Sequence, residues 1–522
     1  MFRRIGEALL IVVLGLVAYG SSLSFGFLSD DYLILRHFLI RDESVWTLWW
    51  PMFVRPLTAS TWLADIRLCG PWAPGHHLTN LVLHLIVAAV LYGLARRLYP
   101  GSRGAALLSA SLFVVLPVHS EAVSWITGRC DVLAALWGTA GYWAYVVYRE
   151  TGRRRYETVC ATIFVLFLFT KESAVAFPLV LAAHDVLARG RGQRPLGRAL
   201  PWPFLVLTVV YILARGAYLG DPIGGYGQRF HLNFDPGRLF FNVASLPARC
   251  LSGTGDVAAW GAAARPILIG AGLCVWLLVV RWWRTIPSAC AVLMTVAFLP
   301  TVNFGAAPGS PENERLLYWS TVFAALCVSG AIHDAVRGRT LRIAVSAALI
   351  GYALTRTWAA QADWAAAARL RDAVLGPVAA ASRSSDVVVL NVPDSYRGRY
   401  VLRNGLTSAA LLAAGRGSGA VEGVMLYAHR RSGDFRATQL DEGVLRLEPE
   451  TGTSRLIEWP PAQGLPKLGT VIGRGPRKLL FRPERRGDRP LRVFYLDGGR
   501  SREIAPGPEG SWPRRPGSDT IR

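Results

Sequence analysis

Over the first 356 residues, long apolar stretches alternate with short segments that carry arginine. Roughly 20 apolar residues span a bilayer as a helix. On that measure about eleven spans are expected, near 6–26, 77–95, 104–118, 131–148, 156–170, 173–187, 200–219, 265–280, 286–304, 316–334 and 341–356. The stretch 156–187 is interrupted by Lys171 and Glu172, and arginines flank both its ends, which predicts a hairpin rather than one tilted helix. The 25–76 loop sets Trp46, Trp49, Trp50, Trp62 and Trp72 among apolar residues, the pattern of segments lying in the headgroup layer as a lip around a site. In 220–264 a Gly/Pro-rich start leads into Leu239–Leu251, which predicts another interfacial helix.

After residue 357 the pattern changes. A short Ala/Arg-rich helix (359–378) precedes short β-type runs at Val387–Leu390, Gly423–Tyr427, Val444–Leu447 and Leu491–Leu496, separated by Gly, Pro and charged residues. The expected fold is mainly α: a polytopic membrane helical bundle (1–356), with a smaller strand-rich extramembrane domain (357–504) and a disordered tail (505–522).

Composition and charge agree. At 52% hydrophobic and 18% charged residues, with a mean hydropathy of +0.31, the 522-residue chain is too apolar for an ordinary soluble protein. Its net charge of +22 would suit a nucleic-acid binder if the basic residues formed one patch. Instead the clusters Arg96/Arg97/Arg103, Arg149/Arg153/Arg154/Arg155, Arg189/Arg191/Arg194/Arg198, Arg281/Arg284 and Arg337/Arg339/Arg342 fall between alternate spans, on the side of Arg3 and Arg4. That pattern puts the N-terminus in the cytoplasm and the loops 25–76, 220–264 and 305–315, with everything after 357, outside. The run Ala8–Leu28 lacks an Ala-x-Ala cleavage site and is expected to stay as the first helix. The seven cysteines show neither metal-ligand spacing nor a disulfide framework.

Four constellations carry candidate chemistry, all at the expected outer face. Asp30 and Asp31 follow the first span directly. Carboxylates there can serve as a general base for an attacking hydroxyl, or as ligands of a divalent cation such as Mg²⁺ or Mn²⁺, or simply end a helix. In His77-Leu-Thr-Asn80-Leu-Val-Leu-His84, steps of three and four put His77, Asn80 and His84 on one helical face. Helix-to-helix hydrogen bonding is expected of Asn80 and His84, while His76 and His77, nearer the surface, are left open as substrate contacts. The loop from Pro117 to Asp131 packs His119, Glu121, Arg129 and Asp131 between two spans; Arg129 either meets a donor phosphate or forms a structural pair with Asp131 or Glu121. Arg55, Lys171-Glu172 and Glu314-Arg315-Leu-Leu-Tyr318 add further charge on the same side.

These pieces, in order, resemble the GT-C superfamily of polytopic glycosyltransferases, in particular the cadherin-targeting transmembrane O-mannosyltransferases and their bacterial relatives. They are the Asp30-Asp31 loop, Arg55-Pro56-Leu57, the His77/Asn80/His84 helix, Pro117–Trp125 with Gly128–Asp131, Lys171-Glu172, Leu299–Asn303 and Glu314–Tyr318, within residues 5–335. The resemblance implies transfer of a sugar, usually with inversion, from a polyprenyl-phosphate carrier in the membrane lipid. The implied base is an aspartate of the first outer loop, here Asp30 or Asp31, with Asp30 slightly preferred. Arg55, Arg129, Lys171 and Arg315 become candidates for the donor phosphate, and His119, Glu121, Glu172, Glu314 and Tyr318 for substrate or structural contacts. No 34-residue helical repeat follows the spans, unlike the eukaryotic relatives. The acceptor therefore stays open between a protein, a glycolipid and an envelope glycan, and the expected location is a bacterial inner membrane. Two rivals are a transporter or flippase of lipid-linked sugars and a non-catalytic assembly scaffold.

Overall fold

The computed structural model describes residues 2–190, 202–221, 225, 235–253, 263–282, 285–304, 312–415, 417–429, 435–440, 443–450, 455–458, 467–485, 488–506 and 512–513. Arg191, Arg194, Arg198, Arg284, much of the 220–264 and 305–315 loops and most of the expected tail lie outside the described residues.

Each of the eleven apolar runs lies on a helix. By length and composition, six helical segments among the described residues can cross a membrane: Ile5–Ser24, Ala73–Leu98, Trp202–Leu219, Ile286–Asn303, Glu314–Ala335 and Arg339–Ser382. Counting the pair Arg103–Val115 and Pro117–Ser124, bent by 48°, as one broken span makes seven. The helices Arg154–Leu168 and Phe177–Gly190, on either side of Lys171 and Glu172, have 15 and 14 residues. At 1.5 Å per residue each is ~22 Å long, short of the ~30 Å hydrocarbon layer.

Leu9, Leu10, Val13, Leu16 and Val17 of the first span are exposed, as are Val206, Val209, Val210 and Leu213 of Trp202–Leu219. Apolar faces that wide need lipid rather than water around them, and the protein is an integral membrane protein.

Two corrections concern single elements. The helix expected at 359–378 is continuous with the preceding span, as one 44-residue helix, Arg339–Ser382. The interfacial helix expected at Leu239–Leu251 is two short ones, Pro236–Ala244 and Leu246–Ser252.

By internal contacts the chain forms two compact units, one of 1–24 and 42–361, the other of 25–41 and 362–522. The first is the helical bundle. Its core is close-packed: at Gly138, in the helix Arg129–Thr151, a Cβ would stand 2.5 Å from the Trp319 ring of Tyr318–Ala335, so only glycine lets that indole sit against the backbone. Of the loop tryptophans, Trp46, Trp50 and Trp72 are exposed, whereas Trp62 is fully buried and its indole N–H donates to the Ile126 carbonyl at 3.4 Å.

The second unit contains strands β1 (Asp386–Tyr396), β2 (Arg399–Tyr400), β3 (Val421–His429), β4 (Phe435–Gln439), β5 (Leu445–Pro449), β6 (Arg455–Glu458), β7 (Gly469–Gly475), β8 (Lys478–Pro483), β9 (Leu491–Asp497) and β10 (Arg500–Ile504). A six-stranded sheet runs β10-β9-β1-β3-β6 with β2 paired to β1, and a four-stranded antiparallel sheet runs β4-β5-β8-β7. Central β1 is parallel to both β3 and β9, which explains its unbroken apolar run Val387–Leu390. The helix Leu406–Ala414 makes the crossover that a parallel β1–β3 pair requires.

Candidate active site

Within the helical unit, residues far apart in sequence meet in one buried network of alternating charge. Arg55 opens the helix Pro56–Cys69, and its guanidinium grips Glu172, with Nη2 to Oε2 at 2.8 Å and Nε to both oxygens at 3.2 Å. Arg215 reaches the same carboxylate at 3.4 Å. Lys171 pairs with Asp131 in the first turn of Arg129–Thr151. Arg315, just before the helix Tyr318–Ala335, lies 3.7 Å from Asp131 and pairs with Glu121, whose other oxygen accepts from the Arg315 backbone N–H at 3.0 Å. Cys130 joins the two halves, 3.8 Å from Arg55 and 3.7 Å from Asp131. Among the described contacts, four cations and three carboxylates alternate in a site where every side chain is mostly buried.

Of the cations, Arg315 is the most exposed, at 21% of its side chain against 4% for Lys171, and its guanidinium stacks 5.2 Å above the Trp125 ring. Burial pushes the Glu172 carboxyl up, but the Arg55 and Arg215 guanidiniums and their hydrogen bonds outweigh it and hold the group below its ordinary value. A depressed carboxylate stabilises the fold above the ordinary carboxylate range, and that support is lost as pH falls through the lowered value. Glu172→Ala is expected to cost about 3–5 kcal/mol, because it leaves two buried guanidiniums without their shared counter-charge. Thermal unfolding in detergent at neutral pH measures it.

Arg129 lies apart from this network. It is fully buried, and all three of its nitrogens are engaged: Nε with Asn80 at 2.6 Å, Nη1 with the Thr61 carbonyl at 3.1 Å, and Nη2 with Asp65 and the His76 carbonyl, the latter at 2.9 Å. Its ion pair is with Asp65, a residue outside the loop 117–131. Around it, His76 bonds the Gly70 carbonyl at 2.9 Å and lies 3.6 Å from Asp65. Asn80 also donates to the Trp125 carbonyl at 3.1 Å. His84 joins Tyr318 to the Val114 carbonyl, and His119 bonds Thr321 at 2.7 Å with its ring 4.3 Å from that of Tyr318. His77 and Glu314 are buried.

Asp65 and Arg215 were not among the expected site residues. A lone arginine inside the apolar run 200–219 was the available signal for Arg215, since a charge at such a position needs a partner. Nothing local pointed to Asp65.

The two aspartates belong to the second unit. Asp31 is buried and its Oδ2 accepts the Leu28 backbone N–H at 2.9 Å, which closes the turn into the helix Asp31–Leu35. Asp30 is half-buried at the N-cap of that helix, and its Oδ1 accepts from the Asn404 amide at 2.7 Å. The adjacent carboxylates thus face different surroundings. Among the described residues, no group of three or more His, Cys, Asp or Glu is arranged to hold a metal ion.

Sequence comparison adds the chemistry of relatives to this geometry. The likeness is to protein O-mannosyl-transferases. Tmtc2 of Drosophila melanogaster is 34% identical over 146 residues, which are 27% of this chain and 16% of that protein. TMTC4 of Mus musculus is 32% identical over 174 residues, 31% of this chain and 22% of that protein. The chain thus spans about a fifth of the length of these protein O-mannosyl-transferases. No family model matches. Among solved structures, ArnT from Cupriavidus metallidurans bound to undecaprenyl phosphate aligns over 91% of this chain and 98% of its own, with 15% identity and a TM-score of 0.49.

Proposed function

We propose that this protein is a membrane glycosyltransferase that moves a sugar, mannose or a similar hexose, from a polyprenyl-phosphate donor to an acceptor hydroxyl at the non-cytoplasmic face. The observation that carries the reading is the buried network that gathers Arg55, Arg215, Lys171 and Arg315, in a chain similar to protein O-mannosyl-transferases. A carboxylate base takes the proton of the acceptor hydroxyl as its oxygen bonds to the anomeric carbon, and the role falls to Asp30 from the place of its motif directly after the first span, independently of the cation network. The bond from that carbon to the phosphate oxygen breaks, and its electron pair leaves with the polyprenyl phosphate. Fixed cations offset the charge that grows on the departing phosphate more effectively than water does, because they need no reorganisation. Arg315 and Lys171 supply that field. The acceptor is a protein, a glycolipid or an envelope glycan.

The test compares glycolipids and glycoproteins by mass analysis between a deletion strain and the same strain carrying the wild-type chain or Arg315→Ala. The deletion is expected to lose one glycosylated product, and Arg315→Ala to lower its rate of formation about 10²–10³-fold. An unchanged glycan inventory in the deletion strain would end the proposal.

A further inference from the structure

The second unit holds the first outer loop by contacts that link residues more than 340 positions apart. Arg371 Nη1 donates to the carbonyls of Phe25 at 2.8 Å and Phe27 at 2.5 Å, across a turn where Gly26 has φ +69°. The Ser29 N–H donates to the Val401 carbonyl at 2.9 Å. Gly405 lies so close beneath the loop that a Cβ there would stand 2.3 Å from the Ser29 carbonyl oxygen. Between these anchors the Asn404 amide donates to Asp30 Oδ1 at 2.7 Å, and the Ser29 hydroxyl reaches the same oxygen at 3.3 Å. Asn404 stands on the segment between β2 and the helix Leu406–Ala414, so the extramembrane domain itself reaches the candidate base.

We propose that Asn404 is a positioning residue for sugar transfer: its amide fixes the Asp30 carboxylate in one orientation and favours its ionised form. This rests on Asp30 being the base. A neutral N–H donor suits the task. It stabilises the charged carboxylate, as any hydrogen bond to the ionised form does. Arg403, the residue before Asn404, pairs with Asp394, 2.6 Å from Nη2 to Oδ2. The charged and titratable groups of this unit on or beside the loop include Asp31, Tyr32, Arg36, His37, Arg371, Asp372, Asp394 and Arg403. Burial pushes the Tyr32 phenol up to about 12, so it stays neutral over the working range.

The experiment uses membranes of the deletion strain carrying the full-length wild-type chain, Asp30→Asn, Asn404→Leu, Asn404→Asp or Asn404→Gln. Polyprenyl-phosphate mannose is the donor and the membranes supply the acceptor. Asn404→Leu is expected to lower kcat/KM about 10- to 100-fold, the scale of one hydrogen bond to a charged group, with KM for the donor unchanged. The acid limb of the pH profile should move to higher pH in Asn404→Leu and further in Asn404→Asp, because a lost donor and an added negative charge both raise the value below which the base is protonated. Asn404→Gln, which keeps the amide, should recover part of the rate. Wild-type rates in Asn404→Leu overturn the proposal. So does a loss with an unmoved acid limb in both Asn404→Leu and Asn404→Asp, or a loss that tracks lowered thermal stability of the purified variants. No transfer by the wild type, or full transfer by Asp30→Asn, instead removes the base, a failure distinguishable from failure at Asn404.

Discussion

Asp30→Asn is expected to lower sugar transfer by about 10²–10⁴-fold, the usual consequence of losing a general base, while the protein inserts and folds as before. The amide is nearly isosteric with the carboxylate and its oxygen can still accept from Asn404, so the loop keeps that anchor while the proton acceptor disappears. Asp31→Asn should behave differently. Asp31 is buried and its oxygen receives the Leu28 N–H, which the asparagine oxygen can also accept. Its rate should stay within about tenfold of wild type, the scale of a weakened hydrogen bond. Single-turnover rates of the two variants, each checked for monodispersity in detergent, decide between them. If Asp31→Asn is dead and Asp30→Asn active, the roles exchange. Labelling with an impermeant outside reagent, through cysteines placed at 30 and 31, tests the orientation: protection would move the loop to the other face.

The second large effect concerns folding. Arg129→Leu is expected to destabilise the bundle by about 3–5 kcal/mol, because it strands the buried Asp65 carboxylate as well as removing bonds to Asn80, Thr61 and His76. Removing both charges, as in Asp65→Leu/Arg129→Leu, should recover much of that loss, since no uncompensated charge then stays buried. Thermal unfolding of the purified proteins measures both. The double variant also separates two roles: a stable protein that still transfers sugar confines Arg129 to structure, whereas a stable protein that cannot would return it to the donor phosphate.

Much of the architecture was legible in the sequence because its signals are local. Apolar runs with arginine flanks found the helices of the candidate spans but not the 14-residue helix Pro56–Cys69, which lies in the segment read as a loop, and Val387–Leu390, Gly423–Tyr427, Val444–Leu447 and Leu491–Leu496 fall on β1, β3, β5 and β9. Arg55, Glu121, Lys171, Glu172 and Arg315 stood out as charges on one expected face, and the network contains all five. Pairing was not legible. Asp65 and Arg129 are 64 residues apart, and no pattern in either segment selects the other. The apparent helix boundary near 357 arose because hydropathy drops there, yet Thr357-Trp-Ala-Ala contains no residue that breaks a helix, and the Ala/Arg-rich continuation favours one. The grouping of 25–41 with the C-terminal domain was invisible for the same reason as the Asp65 pair: contacts at such separation leave no local trace.

That last separation has a consequence for biogenesis. Ribosomes add about 5–20 residues per second, so the segment bearing Asp30 leaves the ribosome ~20–70 s before Arg371, Val401 and Asn404 exist to hold it. Until then the acidic turn lacks those partners. A chain truncated before residue 371 never acquires them, which ties the timing of the proposed activity to the completion of synthesis.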